Sequence, residues 1–130
     1  MYNATKYLRL SYTSDRANES DSIANQRKYI DEFVKRNPDI KIVNEQVDDG
    51  YSGIVFDRPA FKAMIEDIKS GKINCVIVKD LSRLGREYNE TFTYLRRIFP
   101  ALGVRFIAIN DNYDSTDYVG GIGEIDVAFK

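Results

Sequence analysis

Two hydrophobic periods alternate along this chain, and that alternation constrains the fold more than any other feature. "KYLRLSY" (6–12) switches between apolar and polar residues and predicts a first strand. From Ser20 to Arg36, Ile23, Ile30, Phe33 and Val34 recur on one helical face; Ser20 or Ser22 can cap that helix, and "NP" at 37–38 ends it. "IKIVNEQVDD" (40–49) predicts a second strand, and the glycine-punctuated "DDGYSGIVFD" (48–57) a loop. Arg58 and Pro59 open a second helix that stops at Gly71. "INCVIVKD" (73–80) is a third strand, "REYNETFTYLRRIFPALG" (86–103) a third helix and "VRFIAIND" (104–111) a further strand. The last stretch reads as a loop entering the start of a helix. Strands separated by helices imply an α/β layer fold around a mostly parallel sheet of four to five strands.

Length and charge narrow the function. The 130 residues suit one domain with one core. Lys+Arg number 19 against Asp+Glu 20, a net charge of -1, so any contact with nucleic acid must come from a local basic cluster made by the fold. Histidine is absent, which removes the usual general base and the commonest zinc ligand together. Cys75 lies inside an apolar run, where a buried thiol is expected. "MYNATKYLRLSY" lacks the apolar core of a signal peptide, and no apolar run approaches the roughly 18 residues of a membrane span, so the expected location is the cytoplasm. No G-x-G-x-x-G, P-loop or G-x-S-x-G motif occurs, which leaves little for nucleotide binding or acyl transfer.

Three polar constellations remain. In "KDLSRLGRE" (79–87), Arg83 and Arg86 follow the carboxyl end of a strand, where open α/β sheets bind ligands. They also fall at the start of the predicted third helix, where the macrodipole disfavours cations and a bound anion would reverse the penalty. Solvated surface arginines would share that spacing. In "YLRLS", period two puts Tyr7, Arg9 and Ser11 on one face of the first strand. An edge strand with a wet face would look the same; a face turned to phosphate would place a hydroxyl nucleophile beside a charge stabiliser. The loop "DDGYSG" carries Ser52 and leads to Arg58, consistent with backbone phosphate recognition and equally with a surface turn. Asp48 and Asp49 lack the spacing of a calcium loop, so no metal is expected.

Together and in this order, "YLRLS", "DDGYSG...RP" and "LSRLGR" resemble the catalytic domain of the serine recombinases, the resolvase and invertase superfamily, across nearly the whole chain. "RRIFPALGVRFIAINDNYDSTD" looks most like the large serine recombinases of bacterial mobile elements. The resemblance implies a resolvase-like three-layer α/β/α fold and site-specific DNA recombination through a covalent 5'-phosphoserine intermediate. By position it makes Ser11 the nucleophile and Arg9 a ligand of the scissile phosphate, with Arg83 and Arg86 contacting the same phosphate and its leaving oxygen. Tyr7, Gln26, Asp49, Ser52 and Arg58 fall on or beside family site positions. The chain departs from the commonest pattern at Ser82, where small resolvases have aspartate, and at Asp67, near a position where the family has lysine.

The implied chemistry fits the composition. Attack of a serine hydroxyl on phosphorus gathers negative charge on the equatorial oxygens, and fixed guanidiniums meet it with bidentate geometry. Exchange of one phosphate ester for another is nearly energy-neutral, so no nucleotide cofactor is expected. The resemblance further implies double-stranded DNA as partner, a homodimer on DNA and a homotetramer in synapsis. No helix-turn-helix or zinc module is legible, which suggests an N-terminal piece of a longer protein whose DNA-binding part follows Lys130. Two rival readings stay open on these residues: a non-catalytic module kept for dimerisation or regulation, to which Ser82 lends weight, and a hydrolase of small phosphate esters.

Overall fold

A computed structural model describes residues 1–11 and 22–118. Five strands form one sheet: β1 (Tyr2–Leu10), β2 (Ile40–Asp49), β3 (Cys75–Val78), β4 (Arg105–Ala108) and β5 (Tyr113–Asp114), in the order β2-β1-β3-β4-β5. All neighbours run parallel except β4 and β5, which pair antiparallel. The first strand starts at Tyr2, four residues earlier than its alternation suggests, with Tyr2 half-buried, Asn3 exposed and Ala4 to Leu10 buried. β1 lies between β2 and β3, and Tyr7, Arg9 and Ser11 are buried, so the reading of them as the wet face of an edge strand does not hold.

Helices cover both faces. α1 (Ile23–Lys35) packs Ile23, Ile30, Phe33 and Val34 on a cluster with Ala4, Leu8, Ile40, Cys75, Ile77 and Ile107. Ser22 caps α1 by accepting from the Asn25 N–H at 3.0 Å. On the opposite face, α2 (Pro59–Lys69) contributes Phe61, Met64 and Ile68. A four-residue helix, α3 (Leu81–Leu84), follows β3, and α4 (Tyr88–Thr93) begins after it. The predicted third helix (86–103) thus starts at Tyr88 and is preceded by a separate turn, α3, with Gly85 between them, where a β-carbon would collide with the Phe56 ring. α4 continues through a π-helical segment (Tyr94–Ile98) into α5 (Phe99–Ala101). Pro100 has no N–H to return to the preceding turn, and the Phe99 N–H reaches Tyr94 O instead of the usual i−4 carbonyl.

The second core is aromatic. Tyr7, Phe61, Tyr94, Phe99, Phe106 and Tyr113 form a chain of ring contacts with centroids 5.0 to 6.1 Å apart. Each fully buried ring contributes about 1.5 to 3 kcal/mol by area, and each ring pair adds about 0.5 to 1.5 kcal/mol. Tyr7 therefore belongs to the core through its ring and to the site through its hydroxyl. The β-strand and 3-10 turn at Tyr113–Tyr118 replace the loop expected there, while the expected helix start beyond lies outside the described residues.

One irregularity decides which side chains meet. Between β1 and β2 the register jumps from Ala4↔Ile42 to Thr5↔Asn44, so Val43 is an extra residue in β2. Before it, even-numbered Ile40 and Ile42 face α1; after it, odd-numbered Glu45 and Val47 do. Asn44 and Asp48 are thereby turned to the α2 side, where Asn44 Nδ2 donates to Asp67 Oδ2 at 3.0 Å. Asp67, which the sequence places near the family's lysine, is thus tied to β2.

Candidate active site

Strand order reverses direction between β1 and β3, since β1 connects to β2 on one side and the chain then crosses to β3 on the other. Such a switch point opens a crevice at the carboxyl ends of the strands. Here β1 pairs with β3 only from Ala4 to Lys6, and β3 ends at Val78. Beyond Lys6 the β3-facing backbone of β1 loses its ladder. Gln26 supplies the missing partners: its Oε1 accepts from Arg9 N at 3.3 Å and its Nε2 donates to Arg9 O at 3.0 Å. Gln26 is fully buried at a position of α1 where the helical period calls for an apolar residue, and this pairing is the reason.

Arg9 points into the crevice and is also fully buried. Its Nε donates to Arg83 O at 3.2 Å, Nη1 to Tyr51 O at 2.9 Å and Nη2 to Ser82 O at 2.7 Å. Arg83, 2% exposed, returns a bond from Nη1 to Arg9 O at 3.2 Å. Burial, and then the charges of Arg58, Arg86 and Arg83, push the Arg9 guanidinium down to about 10. Four guanidiniums thus converge on one small region. Arg83 lies in the last turn of α3, where the helix dipole favours a cation, contrary to the helix-start position expected from sequence.

The loop after β2 closes over Arg9. Gly50 N and Tyr51 N donate to Leu10 O at 2.7 and 3.2 Å, and Arg86 N donates to Gly53 O at 2.7 Å. Arg86 is exposed, on the rim of the crevice. Ser52 is exposed and accepts from the Ile54 N–H at 3.1 Å, which shapes the turn. Asp49 is exposed at the end of β2, and Ser11, 7% exposed, follows the end of β1.

Arg58 is a different kind of residue from the other three. It is fully buried under Phe56 and Phe61, with its guanidinium carbon 4.6 and 5.0 Å from their ring centroids. Its Nε donates to Val55 O at 2.8 Å, Nη2 to Leu84 O at 2.5 Å, and Nη1 to the Tyr7 hydroxyl at 2.8 Å. Tyr7 in turn donates to Asp48 Oδ2 at 2.7 Å. Burial, opposed by the charge of Arg58 and aided by Asp48, holds the phenol well above its ordinary range. Tyr7 and Arg58 join β1, the 51–57 loop and the carboxyl end of α3 beneath the crevice.

Asp48 is the residue that sequence reasoning passed over, taken only as a weak metal candidate. It is 1% exposed and accepts from Ala60 N and Phe61 N, each at 2.9 Å, as well as from Tyr7. Its carboxylate therefore caps α2, whose own N-cap, Arg58, supplies no side-chain acceptor. A signal was present: apolar positions in β2 switch from even (40, 42) to odd (47), which marks the bulge that turns Asp48 inward. Ser82 is half-buried, its hydroxyl donates to Asp80 Oδ1 and its carbonyl holds Arg9. Among the described residues, no group of three or more His, Cys, Asp or Glu could hold a metal ion, and no helix is long and apolar enough to cross a membrane.

Comparison with known proteins agrees with this geometry. The family model "Resolvase, N terminal domain" matches residues 4–124. The catalytic domain of TP901-1 integrase superposes with a TM-score of 0.79 at 23% identity, covering 98% of this chain and 89% of that one. A resolvase family site-specific recombinase from Streptococcus pneumoniae gives 0.77 at 31% identity, covering 98% and 83%. A serine recombinase from Sulfolobus solfataricus gives 0.65 at 25% identity, covering 99% and 83%. No curated protein matches the chain. The chain belongs to the resolvase N-terminal domain family of serine recombinases, whose reaction is site-specific DNA recombination by phosphoserine chemistry.

Proposed function

We propose that Ser11 is the nucleophile of this recombinase and that Arg9, Arg83 and Arg86 bind the scissile phosphate. The observation that carries the reading is the crevice beside β1. It holds three guanidiniums, two of them fixed by backbone carbonyls and one, Arg86, on the rim, and Ser11 directly follows the strand that carries Arg9. Preorganised donors of this kind stabilise a developing anion without reorganising, each typically worth about 10² to 10³ in rate.

In the proposed step Ser11 Oγ attacks phosphorus in line with the DNA 3' oxygen. The O–P bond to serine forms as the P–O3' bond breaks, and the serine proton leaves while the 3' oxygen gains one. The product is a 5'-phosphoserine and a free 3' hydroxyl; attack by a 3' hydroxyl from another end reverses the step and releases Ser11. One phosphate ester is exchanged for another throughout, and no nucleotide is consumed. Gln26, Tyr7 and Arg58 support the site from beneath, and Asp49, Ser52 and Ser82 border it.

The wider reading is a catalytic domain spanning residues 1–130 of a cytoplasmic protein, which acts as a dimer on DNA and a tetramer during synapsis. The test uses the full-length protein incubated with duplex DNA from either side of its gene, followed by nuclease and protease digestion and mass spectrometry. A nucleotide adduct on the Ser11 peptide, absent from Ser11→Ala, is the expected result. Tight DNA binding with no adduct would turn the reading to a non-catalytic module. Turnover of small phosphate esters without DNA would turn it to a hydrolase.

A further inference from the structure

The departure at Ser82 has a physical counterpart two residues earlier. Asp80 leaves β3 in extended conformation and its carboxylate divides between two partners: Oδ1 accepts from the Ser82 hydroxyl, and Oδ2 lies 3.5 Å from Arg83 Nε. The Arg83 side chain is 3% exposed and that of Asp80 21%, so the pair is largely out of water. On its other side Arg83 Nη1 is bonded to Arg9 O. A guanidinium bonded through Nη1 to Arg9 O and facing a carboxylate on its Nε side is restricted in orientation from two sides.

We infer that Asp80 is a positioning residue for Arg83, taking in this chain the part for which the small-resolvase pattern places a carboxylate at position 82. The inference rests on the phosphate-binding role proposed for Arg83. Two features of the geometry support it. The hydroxyl of Ser82 and the carboxylate of Asp80 are in hydrogen-bond contact, so the two side chains reach the same spot from two backbone positions. Ser82 also holds Arg9 through its carbonyl, so a hydroxyl that ties its side chain to Asp80 couples the placement of Arg83 to that of Arg9. Ser82 is then part of the same device, fixing the carboxylate against Arg83.

This makes the pair exchangeable, which a general structural role would not. Asp80→Asn keeps size and a hydrogen-bond acceptor for Ser82 and removes only the charge. Asp80→Ser combined with Ser82→Asp swaps carboxylate and hydroxyl across their contact. The full-length protein and these variants are compared for affinity to duplex DNA from the native locus, for the rate of the Ser11 adduct at saturating DNA, and for melting temperature. Loss of a fixed electrostatic contact predicts that Asp80→Asn slows adduct formation about tenfold or more. Affinity should stay within about threefold, since one interior ion pair adds little to a phosphate-dominated interface. The exchange pair should recover most of the rate, and Asp80→Ser alone should not.

An Asp80→Asn protein that cleaves at the parental rate overturns the inference. So does an exchange pair no faster than Asp80→Ser at equal melting temperature. Absence of the adduct in the parent protein removes the role of Arg83 and this inference with it, whereas an adduct in the parent together with indifferent Asp80 variants leaves the nucleophile in place and removes the inference alone.

Discussion

Gly53 lies directly against Arg9: a β-carbon on Gly53 would stand 2.8 Å from Arg9 Nη2 and 2.9 Å from Arg86 Cγ. The 50–53 turn, which also takes a bond at the Tyr51 carbonyl, therefore seats on the guanidinium that the Ser82 and Arg83 carbonyls hold. Gly53→Ala should lift the turn from Arg9, destabilising the fold by about 1 to 3 kcal/mol as overpacking usually does. Urea denaturation measures the loss, and an unchanged midpoint would show that the turn shifts freely.

Tyr7→Phe removes one hydroxyl from the aromatic core, leaving Asp48 with the Ala60 and Phe61 N–H groups but without its side-chain donor, and Arg58 Nη1 without its shortest acceptor. A buried hydrogen bond to a charged group is worth about 1.5 to 3 kcal/mol, more than a neutral one, so a loss of that order is expected. The ring keeps its contact with Phe61, so the fold should persist with a lower melting temperature. A melting temperature equal to the parent would mean that the hydroxyl is not a bridge.

The same phenol sets a pH dependence. Its folded-state value is raised above the ordinary 10.0, chiefly by burial. A raised value means that the folded protein binds the proton more tightly than the unfolded chain. The contribution is then fully present below pH 10 and is lost as pH rises above it. Stability should fall in alkali more steeply in the parent than in Tyr7→Phe, measured as denaturation midpoints from pH 8 to 11.

Arg58→Lys should be nearly as damaging as Arg58→Met. The guanidinium reaches Val55 O, Leu84 O and the Tyr7 hydroxyl from one planar fork while lying under Phe56 and Phe61. An ammonium lacks that geometry, so a loss of about 3 to 5 kcal/mol is expected, as for other broken buried charge networks. Circular dichroism and thermal melts test it, and a lysine variant that melts like the parent would refute it.

Asp48→Asn should lower stability by about 1 to 3 kcal/mol, because an amide accepts at only one of the two oxygen positions and presents an NH2 to the donors at the other. The damage should appear first at the start of α2, where either Ala60 N or Phe61 N loses its acceptor. Faster amide hydrogen exchange at one of those two residues is the measurement. Unchanged protection there would place the cap elsewhere.

The sequence by itself determined the layer order and the kinds of residue at the site. Period-two and helical runs alternate, so a parallel sheet with helices on both faces was legible, as were Ser11 and the arginines at strand ends. Such patterns are local: each is written in the spacing of neighbouring side chains. The four-residue α3 was hidden because one turn has no period, and β5 because two residues have no alternation. Only the tertiary structure decided that Arg58 serves the interior while Arg86 lines the rim, since both are arginines beside polar loops and only packing under Phe56 and Phe61 separates them. It also decided the fate of Asp48. One extra residue at Val43 reverses the side-chain parity of β2, and the carboxylate turns from the α1 side of the sheet to cap α2 and hold Tyr7.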